Sequence, residues 1–236
     1  MQNRFSRTEL LISKEGQEKL KKAKVAVCGI GGVGSAAAEA LARAGVGNLV
    51  LLDDDVVNTS NINRQLLALQ STVGQPKVLV MQARIADINP DCQVEAKQLF
   101  LTEKNIAELP TDCNFVIDAI DYVPGKIAII QYCRQKNIKF ISSMGTGNKL
   151  QPELLQITDL AKTSVCPLAK VMRKELKKLN IEKGVPVIFS LEEPKAAQKA
   201  KDERGRQIPG SISFVPPVAG MMLAGYVIRQ LLGYTN

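Results

Sequence analysis

The stretch that most constrains this chain runs from residue 24 to residue 55. Lys24–Cys28 is a short apolar run that stops at a glycine cluster, Gly29-Ile30-Gly31-Gly32-Val33-Gly34. Residues 35–44 are alanine-rich and favour a helix, which Gly45 and Gly47 end. Asn48–Leu52 is a second apolar run, closed by Asp53-Asp54-Asp55. Strand, glycine loop, helix and strand in this order predict a β-α-β unit of a parallel sheet. Glycines at the turn let backbone N–H groups come close to a phosphate at the start of the helix. Asp53, at the end of the second strand, stands where a carboxylate can accept hydrogen bonds from ribose hydroxyls. To this point a nicotinamide- or flavin-binding oxidoreductase and an ATP enzyme are equally compatible with the residues.

Beyond this unit the alternation continues. Residues 8–22 read as an amphipathic helix with Leu10, Leu11, Ile12 and Leu20 on one side, and residues 73–88 as another, closed by Asn89-Pro90. Residues 115–119 and 139–143 read as buried strands with a helix at 127–136 between them. After Gly147 the pattern changes to a basic helix (170–179), a strand (185–190) and a polar, Lys-rich connection (192–210). A strand at 212–215 and an apolar terminal helix opened by Pro216-Pro217 complete the chain. The expectation is an α/β, Rossmann-like fold: a mostly parallel sheet with helices on both faces and a basic C-terminal elaboration. One domain, 1–236, accommodates all of it, with an N-terminal helical arm (1–22), a nucleotide-binding core (23–150) and a C-terminal substrate-binding part (151–236).

Composition removes several kinds of chemistry. The chain has five cysteines and no histidine. No C-x-x-C occurs, so the common zinc-ligand sets are excluded, as is a histidine base, and a reducing cytoplasm is the expected compartment. The first residues lack the charged head and apolar run of a signal peptide. The most apolar run, 218–228, is shorter than the roughly 20 helical residues needed to cross a bilayer. Net charge is +8, and residues 161–210 hold twelve Lys or Arg against six Asp or Glu. That local surplus predicts a polyanionic partner on the C-terminal part.

The segment after the second strand separates the remaining classes. Asp53, Asp55, Val57, Ser60, Asn61, Arg64 and Gln65, followed by Gly74 and Lys77, match D-x-D-x-V-x-x-S-N-x-x-R-Q and G-x-x-K at every specified position. The sequence here resembles the ThiF/MoeB/HesA family, which shares its adenylating fold with ubiquitin-activating enzymes. The resemblance implies that Arg64 and Lys77 meet the triphosphate of ATP, where two cations offset charge building on the leaving pyrophosphate. Hydride transfer has no use for such a pair. In Asp118-Ala119-Ile120-Asp121, the resemblance makes Asp121 the residue that orients magnesium with ATP, a hard cation that needs only one or two carboxylates. Tyr122 stands where the family usually has Asn. Arg4-Phe5-Ser6-Arg7 is similar to the family's R-[YF]-x-R, which implies that Arg7 reaches the ATP of the other subunit of a homodimer.

Sulfur-carrier activators of this family carry two C-x-x-C pairs, which this chain lacks. Residues 159–163, Pro167-Leu168-Ala169 with Arg173, and residues 210–220 instead resemble the tRNA threonylcarbamoyladenosine dehydratases. The implied reaction is ATP-dependent cyclisation of threonylcarbamoyladenosine beside the tRNA anticodon, through an acyl-adenylate and intramolecular ring closure. Lys170, Arg173, Lys174, Lys177 and Lys178, with the connection around 195–206, then become candidate phosphate contacts to tRNA. No DNA partner and no membrane span are expected. A monovalent cation and a cysteine-desulfurase or sulfur-acceptor partner are compatible with the resemblance, though no residue locates either. Adenylation of the C-terminus of a ubiquitin-like sulfur carrier is the competing reading. Cys166, before the basic helix, and Cys28, beside the glycine loop, are expected to be packing residues.

Overall fold

The computed structural model describes residues 3–195 and 209–234. Its centre is a seven-stranded sheet built from β1 (Lys24–Cys28), β2 (Asn48–Leu52), β3 (Gln93–Lys97), β4 (Phe115–Asp118), β5 (Lys139–Ser143), β6 (Leu155–Asp159) and β7 (Pro186–Ser190). Strand order is β3-β2-β1-β4-β5-β7-β6. Every pairing is parallel except the edge pair β6–β7, which is antiparallel. Alternate residues of the central strands enter two separate apolar layers: Val25, Val27, Leu49 and Leu51 on one face, Ala26, Cys28, Val50 and Leu52 on the other. That two-sided burial is why these strands read as continuous apolar runs.

On the first face lie α1 (Ser6–Lys22), α2 (Gly32–Ala44), α3 (Lys77–Ile88) and α6 (Val215–Leu232); on the second, α4 (Val123–Gln135) and α5 (Pro167–Lys178). The small residues of α2 let α6 approach it closely. A Cβ on Gly220 would stand 2.2 Å from the Val33 carbonyl oxygen. Across its eighteen residues α6 is long and apolar enough to cross a membrane by composition, yet Ala219, Leu223, Ala224 and Val227 are buried against the core.

Four expectations need correction. Residues 212–215 form no strand: Phe214 is the N-cap of α6, with Pro216 and Pro217 in its first turn, where a missing N–H costs nothing. The third helix starts at Lys77 rather than at residue 73, because Gly74 at φ +85° and Pro76 hold the preceding turn. In α1, Ser13 (φ 64°) kinks the helix, so Leu10 and Leu11 are 87% and 84% exposed instead of sharing a face with buried Leu20. Two strands, β3 and β6, were not anticipated. Of the polar connection, residues 196–208 lie outside the described residues.

Candidate active site

A cleft of about 580 Å³ opens over the C-terminal ends of the parallel strands, the end at which ligands of open α/β sheets collect. Gly29, Gly31, Gly32, Asp53, Asp55, Asn61, Arg64, Gln65, Lys77 and Asp121 all line it. Gly34 lies just behind, inside α2.

The glycines serve different purposes. Gly29 has φ +86°, and a Cβ there would meet the Ala119 carbonyl and the Ile120 nitrogen within 2.9 Å. A Cβ on Gly34 would fall 1.7 Å from the Gly29 oxygen, and one on Gly32 would meet Pro216 at 2.9 Å. A Cβ on Gly31, by contrast, would find only the Gln65 amide, at 3.8 Å. Packing therefore explains three of the four. Gly31 faces open space, where absence of a side chain matters only to something that enters the cleft. It is also the N-cap of α2, with no side chain capping the helix, so N–H groups of the first turn remain for a phosphate.

Asp53 does more than the sequence predicts. Its Oδ2 accepts from the Ile30 amide at 2.6 Å and its Oδ1 from the Asp55 amide at 2.9 Å, which staples the glycine loop to the end of β2. Burial pushes its carboxyl above the usual carboxylate range, partly offset by the Lys77 charge and these amides. Lys77 is buried at the start of α3 and pairs with Asp55 at 2.6 Å. The Arg64 guanidinium donates to the Ser60 carbonyl at 2.9 Å and to Asn63 Oδ1 at 2.8 Å, which fixes its direction. Asn61 Oδ1 accepts from the Asn58 amide at 3.0 Å and so closes the turn that presents Arg64. Gln65 is buried, and its Oε1 has no partner. A buried acceptor without a donor is costly, and the side chain that carries it borders the cleft, with its Nε2 3.8 Å from where a Cβ on Gly31 would stand. An orphaned acceptor, an open glycine at an uncapped helix start and two oriented cations together fit a nucleotide with its phosphates.

Asp121 is exposed and also lines the cleft, just past β4. Among the described residues, the group of three carboxylates close enough to share an ion is Asp53, Asp54 and Asp55; each Asp53 oxygen already accepts one backbone amide, and Asp55 pairs with Lys77. Asp118 proves not to face the cleft. It is fully buried, ion-paired to an equally buried Lys126, and accepts a hydrogen bond from Ser142. Neither Lys126 nor Ser142 was singled out in the sequence, although a lysine beside the apolar run of α4 was a usable signal.

Arg7 does not line the cleft. It sits exposed at the start of α1, next to Arg4, which binds Asn89 and Asp91, and Phe5, which packs by Gly45, at the other end of the strands. On α5, Lys170, Lys174 and Lys177 are exposed, and Lys178 pairs with Glu175 at 2.7 Å. Arg173 is half-buried and donates to the Thr163 carbonyl at 3.0 Å, so it braces the turn after β6. Asp159 anchors the same turn through the Ala161 and Gly184 amides. All five cysteines are buried. Burial pushes the thiols of Cys92 and Cys113 up to about 11 and that of Cys133 to about 12. Cys166 is the N-cap of α5 and packs in the second apolar layer.

Comparison with known proteins agrees with this fold. Residues 5–236 match the ThiF family. The chain is 49% identical over 243 aligned positions to the tRNA threonylcarbamoyladenosine dehydratase of Bacillus subtilis, covering 98% of this chain and 96% of that protein. It is 43% identical to the Escherichia coli enzyme of the same name over 80% of this chain and 74% of that one. The crystal structure of the E. coli enzyme, TcdA, in complex with ATP superimposes with a TM-score of 0.89 at 37% identity, covering 98% and 94% of the two chains. The chain belongs to the ThiF family.

Proposed function

We propose that this protein is an ATP-dependent adenylating enzyme that cyclises threonylcarbamoyladenosine next to the anticodon of tRNA. The observation that carries the reading is the convergence of Arg64 and Lys77 on a cleft floored by the uncapped start of α2. ATP supplies an α-phosphate that the threonyl carboxylate attacks, forming a P–O bond as pyrophosphate leaves. The carbamoyl group then attacks the activated carbonyl, AMP departs, and the net loss is one water.

The residues divide this work. Gly31 and its neighbours receive the phosphates, Asp53 takes the ribose, and Gln65 and Asn61 shape the floor. Arg64 and Lys77 stabilise charge that grows on the departing pyrophosphate, where preorganised donors are worth most. Asp55 holds Lys77 in place until that charge develops. Asp121 would orient magnesium, a hard cation that would offset part of the triphosphate charge. Ring closure joins two parts of one substituent, so positioning can supply much of the rate without a histidine or thioester. Lys170, Lys174 and Lys177 contact tRNA phosphates from the exposed face of α5. A homodimer in the cytoplasm would bring Arg7 of one chain to the cleft of another, and exposed Leu10 and Leu11 beside it favour such contact.

The purified protein should convert ATP to AMP and pyrophosphate only when threonylcarbamoyl-modified tRNA is present. Equal turnover with unmodified tRNA, or turnover driven instead by a small Gly-Gly-ended protein, would overturn the proposal.

A further inference from the structure

We infer that Lys126 is a positioning residue of the nucleotide site, acting through the turn that carries Asp121. The inference rests on the role proposed above for Asp121. Lys126 lies in the first turns of α4 and Asp118 at the end of β4, and both side chains are 0% exposed. Lysine is rarely buried so completely, because removing an ammonium from water is expensive unless its partners are well placed. Here the Lys126 Nζ donates to Asp118 Oδ1 at 3.0 Å and to the Ile120 carbonyl at 3.0 Å. The same Asp118 oxygen accepts from the Ile120 amide at 3.3 Å, and Ser142 Oγ donates to the other.

Ile120 thus has both of its backbone groups bound by one buried ion pair. The strand needs no such help, since β4 is paired to β1 and β5 along its length. What the pair does hold is the Ala119-Ile120-Asp121 turn, which lies against Gly29 so closely that no side chain fits between them. Apolar residues of similar volume would satisfy the packing as well or better, but they would leave the Ile120 carbonyl and amide free to turn. Asp121 follows directly on the two residues packed against Gly29, and Lys126 fixes how that turn sits on the glycine loop.

Lys126→Met alone leaves Asp118 buried and unpaired, so its melting temperature should fall. The double variant Lys126→Met/Asp118→Asn removes both charges at nearly constant volume and should regain most of that loss. Measured on the full chain with modified tRNA, it should nevertheless lose kcat by about tenfold or more and need more magnesium, as groups that orient a metal-site residue typically do. Asp121→Asn should show the same kcat loss and the same shift in magnesium dependence. A well-folded double variant with parental kcat and magnesium dependence, beside an impaired Asp121→Asn, would overturn the role of Lys126. Parental kinetics in Asp121→Asn would overturn the assignment of Asp121 itself, and the Lys126 role with it. If the double variant does not fold, Ser142→Ala, which loosens Asp118 but spares the charges, should fold with a modestly lower melting temperature and, assayed well below it, a lower kcat; parental kcat there would also overturn the proposal.

Discussion

Glu39 offers a prediction in which the structure sets both sign and size. It lies in α2 with its side chain 7% exposed, and its carboxylate receives Arg84 of α3 at 2.5 Å and Arg43 at 2.8 Å. Burial alone would raise its pKa, but the hydrogen bonds from Arg84 and Arg43 more than reverse this and hold it below the usual value. A group depressed in this way stabilises the fold above its unfolded pKa, about 4.3, and that contribution disappears as pH falls through the lower folded value. Hydrogen bonds to charged groups contribute about 1.5–3 kcal/mol each. Arg84 and Arg43 are 36% and 57% exposed, so water screens both and replaces them readily. Glu39→Gln, which keeps shape and removes charge, should therefore cost about 2 kcal/mol at pH 7 rather than the full sum. For a domain of this size that is about 4–8 °C in melting temperature. Urea or thermal unfolding at pH 7 and at pH 4 checks it: the gap between parent and variant should narrow as pH falls. Equal stability at pH 7, or a gap that widens in acid, would refute the reasoning.

Two further contrasts are accessible. Gly220→Ala forces α6 away from the Val33 carbonyl and should destabilise the fold by about 2 kcal/mol through overpacking, whereas Gly31→Ala should cost under about 1 kcal/mol as a change of N-cap yet sharply weaken ATP use. Paired melting curves and ATP titrations decide this, and a Gly31→Ala enzyme with parental ATP dependence would show that nothing approaches that backbone. Replacing Lys170, Lys174 and Lys177 singly with Ala should weaken tRNA binding about equally for all accepted tRNAs and reduce the salt-dependence slope by about 1 each. An unchanged slope would place the tRNA elsewhere.

Much of the nucleotide half was legible in sequence for a physical reason. Central parallel strands are buried on both faces, so β1, β2 and β5 are apolar runs bounded by polar or glycine residues, and their predicted limits coincide with the observed ones. The edge strands lack that signal. Gln93–Lys97 has no buried residue and exposes its Gln and Glu, and Leu155–Asp159 mixes Gln, Thr and Asp into a strand in which only Leu155 is buried. Residues 212–215 carry β-branched and aromatic side chains and so looked like a strand, but the two prolines that follow set a helix start instead. The ligand-facing residues were readable because their spacing is fixed by the strand-to-helix turn. Partners made by tertiary packing were not: Arg173 looked like a surface cation until Thr163 took its guanidinium, and nothing in the sequence tied Asp118, the last residue of β4, to Lys126. Leu10 and Leu11 were assigned to a buried face because one residue, Ser13, breaks the helical period that sequence alone assumes.

The most direct test of the central claim is mass spectrometry of nucleosides from modified tRNA incubated with ATP and either the parent protein or its Arg64→Ala and Lys77→Ala variants. The parent should convert threonylcarbamoyladenosine to a product lighter by one water, and each variant should slow that conversion by on the order of a hundredfold. Unchanged nucleosides with the parent, or full conversion by both variants, would contradict the account.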